Sequence, residues 1–217
     1  LGDLETRYAE TLARIIGEGN KARGLVCARY QPAHYLKNKQ KYKDEITRIF
    51  GSATLFTQAQ KNLAYLMKRH LVRRFESSIP AFRLTLQAMI DSMTRVQNYA
   101  QKAHKIPIYK KGDIPDVESM MQGGGDYQEE ELNERLEMLA AQKDIWFISS
   151  RELKKKYFED LADDIALLKV IRHQWFGQED ARMPASLPDP KCDYFINKLE
   201  KELAKYPNRK IIVFTEF

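Results

Sequence analysis

The chain has 217 residues, 43% of them hydrophobic and 30% charged, enough apolar content for one large domain or two small ones. No window approaches the roughly 20 consecutive apolar residues of a membrane span. No leader pattern opens the sequence, although a segment cut from a longer protein would not carry its parent's. The net charge of +6 hides an asymmetry: residues 1–111 hold 21 Lys and Arg against 8 Asp and Glu, whereas residues 112–217 hold 15 against 22. A basic half beside an acidic half points to a polyanion-facing surface, or to two halves that pair with each other.

In chain order, Asp3 to Gly17 places Leu4, Tyr8, Leu12 and Ile15/Ile16 at helical spacing, with Gly17 and Gly19 as stops. Residues 20–54 are less regular and contain a helix from Lys41 to Phe50. Thr57 to Ser77 reads as a helix capped by Thr57, with Leu63, Leu66/Met67 and Leu71 on one face. Ser78 and Pro80 restart the chain, because proline suits a first helical turn. From Ala81 to Ala103, Phe82, Leu86, Met89/Ile90, Met93, Val96 and Tyr99 repeat with helical period. Met67, Met89 and Met93 read as core packing rather than a binding groove.

Ile106-Pro107, Gly112, Ile114-Pro115 and Gly123–Gly125 then predict a mobile loop from Ile106 to Gln128. An acidic helix follows near Gln128 to Gln142, with Leu132, Leu136 and Leu139 inward. Ser150 is expected to cap a helix reaching Trp175, striped by Leu153, Tyr157, Leu161, Ile165 and Leu168. Met183 to Pro190 reads as a linker, and Lys191 to Lys205 as a last helix. The final Ile211-Ile212-Val213-Phe214 run has the continuous apolar character of a strand buried on both faces. The expected fold is therefore mainly α, with long antiparallel helices and a C-terminal β-strand. Four regions follow: a basic helical region (1–105), the Pro/Gly-rich loop (106–128), an acidic helical region (129–206) and the terminal strand (207–217). An uncovered strand of this type implies that the chain ends just inside a further domain, or self-associates through that strand.

Cys27 and Cys192 form no CxxC pair, and His34, His70, His104 and His173 are scattered, so no metal-ligand spacing is present. Reduced thiols in the cytoplasm are the expectation. There is no GxxxxGK[ST] loop, nucleophile elbow, HExxH or EF-hand loop. Asp163-Asp164 and Glu129–Glu131 read as solvated faces, since adjacent helical positions point about 100° apart and do not converge as an acid/base pair. No catalytic residue and no metal or cofactor ligand is assigned. The candidate binding residues are Lys68, Arg69, Arg73 and Arg74, four cations within two turns of one helix, able to clamp phosphates or pair with carboxylates.

Leu71-Val72-Arg73-Arg74-Phe75-Glu76-Ser77-Ser78, preceded by Met67-Lys68-Arg69, resembles the block that follows the first motor lobe in bacterial Swi/Snf-type helicases. Ala28-Arg29-Tyr30-Gln31-Pro32 with Tyr35-Leu36 resembles the ARY-x-P-x-x-YL stretch upstream of it. Lys210 to Phe217 is similar to the first strand of the second RecA-like lobe. The resemblance implies an ATP-dependent DNA translocase of helicase superfamily two as the parent, with ATP and magnesium held between lobes. This chain would be its interlobe helical segment, ending on the first strand of lobe two. It would link the lobes and present cations to DNA, with Arg73 and Arg74 the expected functional pair. The phosphate loop and the acidic Mg²⁺ box do not occur in the chain, so no ATP turnover is expected of it alone. The alternatives are a standalone helical nucleic-acid-binding module, or a structural adaptor that binds protein through the Pro/Gly loop. In either case the partners would not include a membrane.

Overall fold

The computed structural model describes residues 2–17, 23–109, 145–177 and 190–212. The fold is mainly helical, as the apolar periods predict. Its helices are α1 (Gly2–Ile16), α2 (Lys39–Phe50), α3 (Ala53–Ser77), α4 (Ile79–Ala103), α5 (Lys155–Phe176) and α6 (Pro190–Lys205). Side-chain oxygens set three of the starts. Asn38 accepts from Lys41 N at 3.0 Å, Ser52 from Leu55 N at 3.3 Å and Ser78 from Ala81 N at 3.2 Å, each satisfying a donor that the first turn leaves unpaired. Ser52 therefore caps α3 five residues before the expected Thr57, whose hydroxyl donates back to Ala53 O inside the helix at 2.9 Å. Ser78 is the whole connection between α3 and α4, with Pro80 in the first turn of α4.

Named contacts fix the helix directions. Tyr8 stacks on Phe75 at 4.6 Å while Lys68 Nζ donates to Ile16 O at 3.2 Å, so α1 runs against α3. Phe82 at the start of α4 meets Trp175 and Phe176 at the end of α5, with centroids 6.5 and 6.2 Å away. At the opposite end Ser150 N donates to His104 O at 2.9 Å, so α4 and α5 are antiparallel. One core joins them, with Leu71, Phe82, Leu86, Met89, Met93, Tyr157, Leu161 and Leu168 all fully buried. Met67 is buried too, and all three methionines pack in the core as expected. Trp175 Nε1 donates to Thr11 Oγ1 at 2.8 Å, which satisfies the indole in an otherwise apolar layer.

Two elements depart from expectation. Lys105–Tyr109 (β1) is a strand rather than the start of a loop, and pairs antiparallel with Ile145–Ser149 (β2), Ile106 facing Ile148 and Ile108 facing Trp146. Ile106, Ile108 and Ile148 are buried against the helices, and that burial outweighs the loop signal of Pro107. Proline is tolerated because a two-stranded ribbon leaves one edge of each strand unpaired. Ser149, not Ser150, is the local cap. Its hydroxyl accepts from Arg151 N at 3.4 Å and starts a 3-10 turn over Ser150–Glu152, after which α5 begins at Lys155.

After α6 the chain turns at Pro207–Asn208, and residues 209–212 have no regular structure. Ile211 and Ile212 are 40% and 77% exposed. The expected terminal strand is thus not formed in its described part, where no described strand lies alongside to accept its hydrogen bonds. Residues 213–217, the remainder of the 106–128 loop beyond Tyr109, the acidic helix at 128–142 and most of the 183–190 linker lie outside the described residues.

The two thiols report on the integrity of this core. Cys27 has no solvent exposure, and burial pushes its thiol pKa up, whereas Cys192 is exposed. With Ellman's reagent under native conditions, Cys192 should react promptly and Cys27 only as fast as the core opens. Equal rates for both thiols would contradict the packing of the Leu25–Tyr30 segment.

Candidate nucleic-acid interface

The Gly24–Leu36 segment, which contains the ARY-x-P-x-x-YL match, forms two short 3-10 turns, Ala28–Tyr30 and Pro32–Tyr35, and is held by side chains from two helices. Asp164 of α5 accepts Val26 N at 2.8 Å and Ala28 N at 2.9 Å. Two N–H groups reach one carboxylate because Cys27 between them is left-handed, with φ 58 and ψ 45, a local concavity of donors of the kind that binds anions. A left-handed non-glycine residue costs roughly 1–2 kcal/mol, which the two charge-assisted bonds offset. One turn earlier, Asp160 accepts from Tyr35 Oη at 2.7 Å and pairs with Lys156 at 2.9 Å and with Arg23. Gln60 of α3 completes the hold, its Oε1 accepting Ala33 N at 2.9 Å.

The expectation of a solvated Asp163-Asp164 pair is therefore half overturned. Asp163 is exposed and pairs with Arg23 at 2.7 Å, but Asp164 is only 2% exposed. Asp160 and Asp164 are spaced i, i+4 and sit beside Leu161 and Ile165, inside the apolar stripe of α5. That position was the available signal, since an acid on a core face needs a built partner. The environments drive the two carboxyls apart. For Asp164 burial outweighs its two backbone donors and raises the pKa above the ordinary value. For Asp160 burial acts the same way but the donors on Lys156, Tyr35 and Arg23 prevail, and the pKa is lowered.

The four candidate cations do not act as one cluster. Arg69 and Arg73 are exposed, whereas Lys68 and Arg74 are half-buried. Lys68 donates to the last carbonyl of α1, Ile16 O, a cation placed where the helix end is negative. Arg74 flanks the buried Phe75, and its carbonyl accepts Ser78 N at 3.2 Å. The expected pair Arg73 and Arg74 is thus split between surface and interior, and Arg69 is the residue that shares the outer face with Arg73. Lys61 and Tyr65 extend that face, because positions 61, 65, 69 and 73 recur every four residues and all are exposed. At about 1.5 Å per residue this ridge runs for about 18 Å. Lys61, Arg69 and Arg73 have no ion pair with another described residue, and Glu76 is the sole acid in α3. Arg29 of the motif is not part of this surface, as its guanidinium lies over the Tyr30 ring at 5.3 Å.

The sequence has no phosphate loop, and among the described residues the buried carboxylates, Asp160 and Asp164, are committed to the Gly24–Leu36 segment. Among the described residues no group of three or more His, Cys, Asp or Glu is placed to hold a metal ion, and no helix is long and apolar enough to cross a membrane. Comparison with protein-family models, with curated proteins and with solved structures found no match for this chain.

Two predictions follow from the carboxylates. Asp164→Ala leaves the buried Ala28 N–H and the partly buried Val26 N–H without an acceptor, at about 1–3 kcal/mol each, so it should destabilise the fold by about 2–6 kcal/mol in urea unfolding. Asp163→Ala should cost under about 1 kcal/mol, as an exposed pair does. The pH signatures of the amides should be opposite. Asp160 has a lowered pKa, so its contribution is present above the ordinary value of 3.8 and is lost as pH falls. The deficit of Asp160→Asn relative to wild type should then shrink in acid. Asp164 has a raised pKa, so its proton-linked contribution is full below 3.8 and lost as pH rises through the folded pKa. The deficit of Asp164→Asn should therefore shrink toward neutrality. Urea midpoints from pH 3 to 7 that move in parallel for both variants would contradict these assignments.

Proposed function

We propose that this chain is the interlobe helical segment of a Swi/Snf-type ATP-dependent DNA translocase, and that it contacts the DNA backbone through the outer ridge of α3. The observation that carries the contact is the row Lys61, Arg69 and Arg73, exposed on a long helix and without an ion pair to another described residue. Exposed cations in a row on a rigid element suit an external polyanion, and exposed Tyr65 among them offers a ring for stacking. The translocase class is supported by three sequence resemblances in family order, from Ala28 to Phe217. In this reading ATP and magnesium belong to the parent's lobes, and the segment serves as a stiff coupling between them. Its local compartment is the cytoplasm.

A second reading, a protein-binding adaptor, is favoured by one observation. On α6, Tyr194, Phe195 and Ile196 are 70%, 43% and 45% exposed, an apolar surface suited to a neighbouring domain or a separate protein.

Binding of fluorescent duplex DNA, followed by anisotropy across salt concentrations, tests the leading reading. Replacing Arg69 and Arg73 by Ala should weaken binding and flatten the slope of log K against log salt by about two units, at about 0.9 per phosphate contact. Binding that is unaffected in affinity and slope by the double substitution, or no binding at low salt, would refute the α3 contact.

A further inference from the structure

We propose a second phosphate-contacting surface, where the Lys37–Lys39 and Arg151–Lys154 segments are held side by side, that takes the same nucleic-acid backbone as the α3 ridge. It rests on the nucleic-acid reading only for the identity of the partner. Leu36 and Leu153 form an antiparallel bridge and are each 2% exposed, anchoring both segments to the core. Around that bridge Lys154 N donates to Tyr35 O at 2.8 Å, Lys37 N to Glu152 O at 2.9 Å and Lys37 Nζ to Arg151 O at 2.7 Å. Residues more than 110 positions apart in sequence thereby present their charges together.

The charge of this surface is one-sided. Glu152 is taken by Lys41 at 2.9 Å and Glu159 by Lys155 at 3.3 Å. Lys37, Lys39, Arg151 and Lys154 are exposed and have no ion pair with another described residue. Lys61, the first cation of the α3 ridge, belongs to the same neighbourhood. Burial and then the nearby charges of Lys39 and Lys61 together hold the His34 imidazole pKa below its ordinary value. Gln60, next to Lys61, accepts Ala33 N at 2.9 Å, so the start of the ridge lies beside the segment that leads into Lys37.

Stability does not account for these cations. Neither α2 nor α5 has an acidic residue in its first turn, and α5 is entered through Lys154-Lys155-Lys156. A cation at the positive end of a helix is unfavourable by several tenths of a kcal/mol, and acidic residues are the stabilising choice there. A local rule broken in this way, by Lys39, Arg151 and Lys154 that have no ion pair among the described residues, marks a surface kept for an external partner. Because the cations are open to solvent and spread over two segments, they fit an extended chain of phosphates better than a single small anion.

The test uses the full 217-residue chain and a duplex DNA probe, with Lys39→Gln, Arg151→Gln and Lys154→Gln combined. Affinity at low salt should fall at least tenfold and the salt slope should flatten by about two to three units, about 0.9 per contact. The melting temperature should hold or rise, since unfavourable charges leave two helix starts. The α3 double variant is measured in parallel. An effect of the bridge triple with none of the α3 double would support this surface and refute the α3 contact. An effect of the α3 double with none of the triple would overturn this inference and leave the α3 reading standing. No DNA binding by the wild-type chain overturns both. A lowered melting temperature in the triple would assign the cations to the fold and overturn the proposal. So would binding to phosphatidylserine-containing vesicles, or to a poly-glutamate peptide, in preference to DNA.

Discussion

The fold depends on a single carboxylate meeting two backbone donors. Asp164 stands inside the apolar stripe of α5 and would be costly there alone, and the Val26–Ala28 segment has donors that no helix or strand satisfies. Each solves the other's problem. Cys27 must turn left-handed for both N–H groups to face the same oxygen pair, and its side chain then enters the core. From this point the chain runs through Tyr30, Ala33 and Leu36, all buried, and so ties α5 to α3 by way of Gln60. Gly24 lies against the end of α1 so closely that a Cβ there would be 2.6 Å from Ile16 and Gly17 backbone atoms, which brings a third helix into the same assembly.

With that interior fixed, α3 can carry unlike faces. Phe56, Gln60, Ala64, Met67, Leu71 and Phe75 point inward, and Lys61, Tyr65, Arg69 and Arg73 point outward. The interior row is anchored along its length by aromatic contacts, Phe56 on Phe50 at 3.9 Å and Phe75 on Trp175 at 5.0 Å. Exposed cations on such a helix lose less freedom on meeting a ligand than the same residues on a loop would, because the backbone is already ordered. Rigidity and charge thus come from one element whose two faces have separate tasks.

The sequence made the local parts of this legible. The apolar periods of α1, α4 and α5, the corner at Ser78 and Pro80, and the buried methionines all follow from residues within one or two turns of each other. What it hid was long-range or a matter of phase. Ile106 and Ile148 become strand residues only by pairing with each other, 42 positions apart. Asp164 looks like half of an exposed acidic pair until Val26 and Ala28 arrive from 136 and more residues away. In α3 the difficulty was phase. Leu63 and Leu66 compete with Ala64 and Met67 for the inward face, and choosing the former turns Lys68 outward. Leu66 is in fact 57% exposed, and the rotation that exposes it sends Lys68 toward α1 and leaves Arg69 outside.

The β1–β2 ribbon has a consequence for how this protein can change over time. Tyr109 and Ile145 are directly paired, so the two ends of the sequence between them are held at adjacent points. Because the cost of closing a loop grows only slowly with its length, a change in the number of residues between those two points alters the closure cost little. The ribbon therefore works as a port, through which new sequence can be tried without reopening the packing problem that Asp164, Cys27 and Gln60 have already solved.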